Sequence, residues 1–139
     1  MNLTNARNHL NLARKQWDNA ATDSWEPEEP ESCVTNVFYA YENVVVALAE
    51  ALGLEWKKNH YNKADIAAQL AKDGKLSKDI SQLLMQLNAL RKDVSYGEPG
   101  EDLLNEDLEE LVSDLESMID EADEIVSSLE DQAAEDDDE

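Results

Sequence analysis

Apolar residues along the chain recur at intervals of three and four, and the strict alternation of a β-strand is absent. The pattern predicts an all-α protein. Leu3, Ala6, Leu10, Ala13 and Trp17 form one stripe, which places a first helix over about residues 3–21. Thr22 to Ser32 holds two Pro and four Glu and reads as a connecting loop. Ser32 can cap a second helix carrying Val34, Val37, Phe38, Tyr41, Val44, Val45, Leu48 and Leu52, with Gly53 as its stop. Its wide apolar arc suits the centre of a bundle. Residues 54–61 read as a polar connection, after which Asn62 can cap a short helix ending at Asp73-Gly74. Ser77 can cap a fourth helix, with Asp79 in its first turn and Ile80, Leu83, Leu84, Leu87, Leu90 and Val94 facing inward. Gly97-Glu98-Pro99-Gly100 breaks that helix.

A long last helix is expected over about 102–130. Leu104, Leu108, Leu111, Leu115, Met118, Ala122, Ile125 and Leu129 follow a 4-3-4-3-4-3-4 spacing, a heptad seam. Val112, Ile119 and Val126 widen the seam into the broader face of a helix packed on a bundle. The expected architecture is therefore an up-and-down bundle of about five helices. Residues 1–97 form its core, 98–130 an acidic amphipathic helix packed on that core, and 131–139 a disordered acidic tail. Val37, Tyr41, Val44, Leu48, Leu84, Leu87 and Leu111 are the expected centre of the core.

Charge adds an asymmetry that the apolar pattern does not show. The 139 residues include 33 acidic and 11 basic ones, a net charge of −22. Residues 1–97 carry 13 acidic and 11 basic side chains, while 98–139 carry 20 acidic and none basic. Acidity confined to one end argues against a halophilic surface, which would be acidic throughout. It also argues against the last helix approaching nucleic acid. Eight of the 11 basic residues fall between Lys57 and Lys92, where an anionic partner would be met. The acidic seam needs a neutral or basic partner, and the Lys-rich stretch is the nearest candidate. Three roles remain open for this helix. It can be a fifth bundle helix with a solvated face, a shield over the basic surface, or a phosphate-like surface for a basic protein.

Composition excludes several classes. One Cys leaves no intramolecular disulfide framework and no multi-Cys zinc site. No apolar run is long enough for a membrane span or a signal peptide, so a reduced, soluble, cytoplasmic protein is expected. His9 and His60 have no close His or Cys partner, which argues against a zinc site. The acidic segment lacks a calcium-hand loop. No metal and no cofactor are expected. His9 reads as a rim residue and Cys33 as a packing residue at a helix start. His60, beside Lys57 and Lys58, either helps bind phosphate or sits at a helix start bonded to backbone.

The sharpest candidate is Arg91. Ile80, Leu84, Leu87 and Arg91 are spaced by four, three and four, so Arg91 falls on the apolar stripe of its helix. A guanidinium keeps its charge, and burying it demands a partner or a phosphate-sized ligand. The alternative is that Arg91 snorkels at a helix C-terminus, where the dipole favours a cation. Lys92 and Tyr96 lie within a turn and a half of it.

The stretch from about Ser32 to Gly97 resembles a HEPN domain. The likeness rests on Tyr39-Ala40-Tyr41-Glu42-Asn43-Val44 with Ala47-Leu48, on His60 after the Gly-ended helix, and on Leu90-Arg91 through Tyr96-Gly97. The resemblance implies a small helical bundle, usually a homodimer, of a prokaryotic toxin–antitoxin or phage-defence system. Ribonucleases of that family use Arg, four to six residues, then His, paired across the dimer, to cleave RNA by 2′-hydroxyl attack without metal. Arg91 matches the Arg, but Tyr96 stands at the His position and no His follows Arg91. A phenol with a pKa near ~10 is a poor base at neutral pH. The expectation is a non-catalytic or weakly active module that binds RNA or protein. Any surviving catalysis would be metal-independent endoribonuclease chemistry at Arg91 and Tyr96. Lys57, Lys58, His60 and Lys92 are the expected nucleic-acid contacts. The alternative function is an acidic interaction protein, a nucleic-acid mimic or inhibitor, that binds a basic protein through its last helix.

Overall fold

The computed structural model describes residues 1–23, 30–95 and 105–137. They form five α-helices and no strand: α1 (Leu3–Asp23), α2 (Pro30–Leu52), α3 (His60–Lys72), α4 (Ser81–Ser95) and α5 (Asn105–Asp137). The architecture is an all-α bundle, as the three-and-four spacing requires. α2 lies at its centre, packed against each of the other four helices. From Val44 to Ala49 every side chain of α2 is buried, which is why its sequence is apolar on nearly all sides.

α1 runs antiparallel to both α2 and α5. The Asn2 N–H donates to the Glu50 carbonyl at one end of the first pair, and the Cys33 thiol donates to the Ala20 carbonyl at the other. Against α5, Arg7 meets Asp123 and Glu130, while the Trp17 indole N–H donates to the Val112 carbonyl at 2.9 Å. α3 and α4 pack on each other and on α2.

Helix ends differ from expectation where a better-placed side chain takes the cap. Asn59, not Asn62, caps α3: its Oδ1 accepts the N–H groups of Tyr61 and Asn62. The Asn62 Oδ1 is engaged instead by the Lys57 N–H at 2.7 Å. α4 begins at Ser81, whose N–H donates to Asp79 Oδ1, and these bonds from Ser81 hold the Asp79 carboxyl below its ordinary range. Ser77, the expected cap, is drawn away to Glu121 of α5 through its N–H and hydroxyl. Gly53 and Gly74 both have φ of +74° and end α2 and α3. α2 begins at Pro30, ahead of Ser32, and α5 continues to Asp137, past the expected end near residue 130.

One buried cluster unites all five helices. Val37, Tyr41, Val44, Leu48, Leu84 and Leu87 are in it, and Leu111 is half-buried against it. Burial pushes the Tyr41 phenol pKa well up, and the charge of Asp114 adds to the effect. α5 places Leu108, Val112, Leu115, Met118, Ile119, Ala122 and Val126 in this same core. Within the expected three-position face, Val112, Ile119 and Val126 are buried along with Leu108, Leu115 and Ala122, while Leu111, Ile125 and Leu129 fall on the flank. Glycines 97 and 100, Leu104 and Tyr96 lie outside the described residues. Among the described residues, no helix is long and apolar enough to cross a membrane.

Candidate functional site

The junction of α2, α3 and α4 brings a buried carboxylate, a histidine, a lysine and an arginine together. Phe38 and Glu42 stand one turn apart on α2 and are both buried. His60 is the first residue of α3, fixed there by the Asn59 cap. Its Nδ1 lies 2.6 Å from Glu42 Oε2, while Lys63 Nζ, a turn further along α3, lies 3.6 Å from Oε1. The Glu42 carboxylate is only 3% exposed, so it is held by these two cation-capable groups rather than by water. An ionised carboxylate only accepts, so His60 donates through Nδ1–H and keeps Nε2 as its second nitrogen.

The His60 ring also packs on Phe38, with centroids 5.2 Å apart. Arg91 of α4 comes to the same phenylalanine: its guanidinium carbon is 5.4 Å from the Phe38 centroid and 5.6 Å from that of Tyr39. Its Nη2 donates to Asn88 Oδ1 at 2.9 Å, and Asn88 is itself buried. Arg91 is half-buried rather than enclosed. Two aromatic faces and an amide oxygen offset its desolvation, so a bound phosphate is not required for it to sit there. The arrangement thus joins Arg91 and His60, 31 positions apart in sequence, around one aromatic ring.

Lys57 and Lys58 are exposed on the loop before α3, and Lys92 is exposed on the last turn of α4. Tyr96, the expected partner of Arg91, lies outside the described residues. His60 does occupy a helix start, but its partner is the Glu42 side chain and not backbone. His9 is half-buried at the rim: its Nδ1 donates to Asn43 Oδ1 at 2.9 Å, and its ring meets the edge of Trp56. Trp56 in turn donates to Glu50 and lies under Lys63 Nζ. Cys33 is buried at the start of α2, as its packing role requires. No group of three or more His, Cys, Asp or Glu able to hold a metal occurs among the described residues.

Among the described residues, the acidic helix meets the Lys-rich stretch through Glu121 and Ser77 and forms no ion pair with its lysines. Its carboxylates bind Arg7 and Arg14 of α1 instead: Arg7 reaches Asp123 at 2.7 Å and Glu130 at 2.6 Å, and Arg14 reaches Asp120 at 3.1 Å. The reason is steric. α5 packs on α1 and α2, whereas α3 packs on α2 and α4, so α5 and α3 share no packed face. The Arg7 guanidinium pKa is raised by its bonds to Glu130 and Asp123. Burial alone would push the Asp123 carboxyl up, but hydrogen bonds from Arg7 and Ser127, with the charges of Arg7 and Arg14, hold it below the carboxylate range.

The fold and site define a five-helix bundle with a carboxylate–histidine pair and an arginine meeting on a buried aromatic ring. No family model matches the chain, and no curated protein matches it.

Proposed function

We propose that the protein is a HEPN-like helical module of a prokaryotic defence or toxin–antitoxin system that binds single-stranded RNA without cleaving it. One observation carries this reading. Arg91 and His60 converge on Phe38 beside exposed Lys57 and Lys58, while the acidic helix is engaged on α1 and leaves this cationic junction uncovered by α5. An RNA phosphate finds there a guanidinium, an imidazole and ammonium groups, which position a backbone and carry no base preference by themselves. Dimerisation through α2 and α4, in the manner of the family, would set two such junctions side by side.

The test is anisotropy of a labelled single-stranded RNA across a salt series. About three neutralised phosphates give a slope of log affinity against log salt near −2. Arg91→Ala, and Lys57→Ala with Lys58→Ala, should each flatten that slope and leave the fold intact by circular dichroism. Absence of binding at low salt would sink the reading.

A second reading rests on the outer face of α5. Glu109, Glu110, Asp114, Glu116 and Glu124 are exposed and hold no cation among the described residues. They suit a basic protein as partner. Replacing these five by Gln would abolish capture of that partner and leave RNA affinity undiminished.

A further inference from the structure

A groove between α3 and α4 stands apart from the Glu42–His60 pair. It has a volume of about 390 Å³. Ala64 and Met85 give it an apolar floor, Tyr61 and Asp65 stand on the α3 wall, and Gln82 and Gln86 stand on the α4 wall. Tyr61 is 66% exposed, one of three large hydrophobic side chains left open among the described residues. Nothing in the bundle core requires it there. Gln82 and Gln86 are exposed one turn apart, so both amides face the same side of α4.

We propose that this groove is a nucleobase subsite, in which a base of single-stranded RNA stacks on Tyr61 between the two glutamines. The inference rests on the RNA-binding reading above and names where a base, rather than the backbone, is held. The floor and the phenol ring offer a flat apolar surface of the kind every base can stack on. Each glutamine amide both donates and accepts, as a base edge demands. Asp65 repels phosphate, so the backbone is kept out of the groove, and it accepts from base N–H groups. Lys57 and Lys58 supply the phosphate contact next door. The Lys57 N–H is tied to Asn62 Oδ1, which folds the lysine segment against the first turn of α3, where Tyr61 stands. Stacking face and edge-reading amides thus line the two walls of one groove, and the lysine segment joins the start of its α3 wall.

The experiment uses the full chain and two probes of equal length: a labelled single-stranded RNA and its abasic ribose-phosphate counterpart. Tyr61 is exposed, so Tyr61→Ala should fold as the parent does, checked by circular dichroism. We expect Tyr61→Ala to weaken RNA binding about 5- to 100-fold, the span measured for loss of one stacking contact. Tyr61→Phe should stay within about twofold of the parent, since the ring and not the hydroxyl does the stacking. The abasic probe should bind parent and Tyr61→Ala alike, and more weakly than RNA. Equal affinity of the parent for both probes, or no effect of Tyr61→Ala on RNA, overturns the subsite while the RNA-binding reading stands. Failure of RNA to bind in any form removes both. A parent mass that falls to the monomer on Tyr61→Ala would show the groove to be a contact between two copies, and would also overturn it.

Discussion

At the scale of single residues, Glu42 is the charged side chain most withdrawn from water among the described residues. A carboxylate taken almost wholly out of water is tolerated because His60 and Lys63 face its two oxygens. Both partners lie nearer the surface and can rehydrate if left alone, whereas Glu42 cannot. His60→Ala should therefore cost about 1–3 kcal/mol in urea unfolding, the range for leaving one buried acceptor without its donor while Lys63 still faces the other oxygen. The double change Glu42→Leu with His60→Leu should cost less than His60→Ala alone, because it removes the buried oxygen that would lose its donor. A single-variant cost under ~1 kcal/mol would mean that water reaches Glu42 freely. This pair was only half legible in the sequence. His60 was visible as a candidate because histidines are few. Glu42 was not, although a lone carboxylate between Tyr41 and the run Val44–Val46 was a signal. Its partner lies 18 positions away on another helix, a distance that spacing along one helix does not encode.

At the scale of elements, the fold was readable because each helix repeats one physical rule. Stripes at three and four gave five helices, and Gly53 and Gly74 ended two of them where a positive φ is needed. Rotation about a helix axis was less readable. The apolar arc of α5 spans three positions per heptad, and the pattern does not say which lies at the centre. Cross-helix contacts decide it. Trp17 holding the Val112 carbonyl, and Arg7 holding Asp123 and Glu130, turn the 112/119/126 line inward. They also make Arg7 the main polar clamp between α1 and α5. Arg7→Met should cost about 1–2 kcal/mol at neutral pH, a value discounted because both partners remain about a third open to solvent. The pH dependence follows from Asp123. Its folded carboxyl pKa is depressed, so its contribution is fully present above the unfolded value near ~3.9 and fades as pH falls through the folded one. The gap between parent and Arg7→Met should stay constant from about pH 5 to 8 and narrow below about pH 4. A gap unchanged down to pH 2 would show that Arg7 acts through packing of its stem alone.

At the scale of the whole molecule, charge opposes the fold. α5 places fifteen carboxylates on one helix, and Arg7 and Arg14 are the cations that pair with them among the described residues. Attraction at the Arg7 pairs acts over about 3 Å and is partly sheltered from solvent, so salt weakens it less than it weakens the exposed Arg14–Asp120 pair. Repulsion among the exposed carboxylates acts over longer distances through water, and a Debye length of about 10 Å at 0.1 M cuts it strongly. The last turns of α5 add to the repulsion, since Glu135 and Asp136 stand exposed near the negative end of the helix dipole with no basic residue in the last turn. Raising sodium chloride from about 10 mM to about 0.5 M should therefore raise the melting temperature by several degrees, on the scale of ~1 kcal/mol for a domain of this size. Potassium chloride at equal ionic strength should match it, because screening does not depend on the ion. If the proposed RNA binding holds, affinity for RNA should fall over the same series, because salt screens its phosphates from Arg91, Lys57 and Lys58. Opposite signs in the two measurements would place the repulsive and the cationic surfaces on different parts of the molecule. A melting temperature that falls with salt would instead make the Arg7 and Arg14 clamps the dominant electrostatic feature of the bundle.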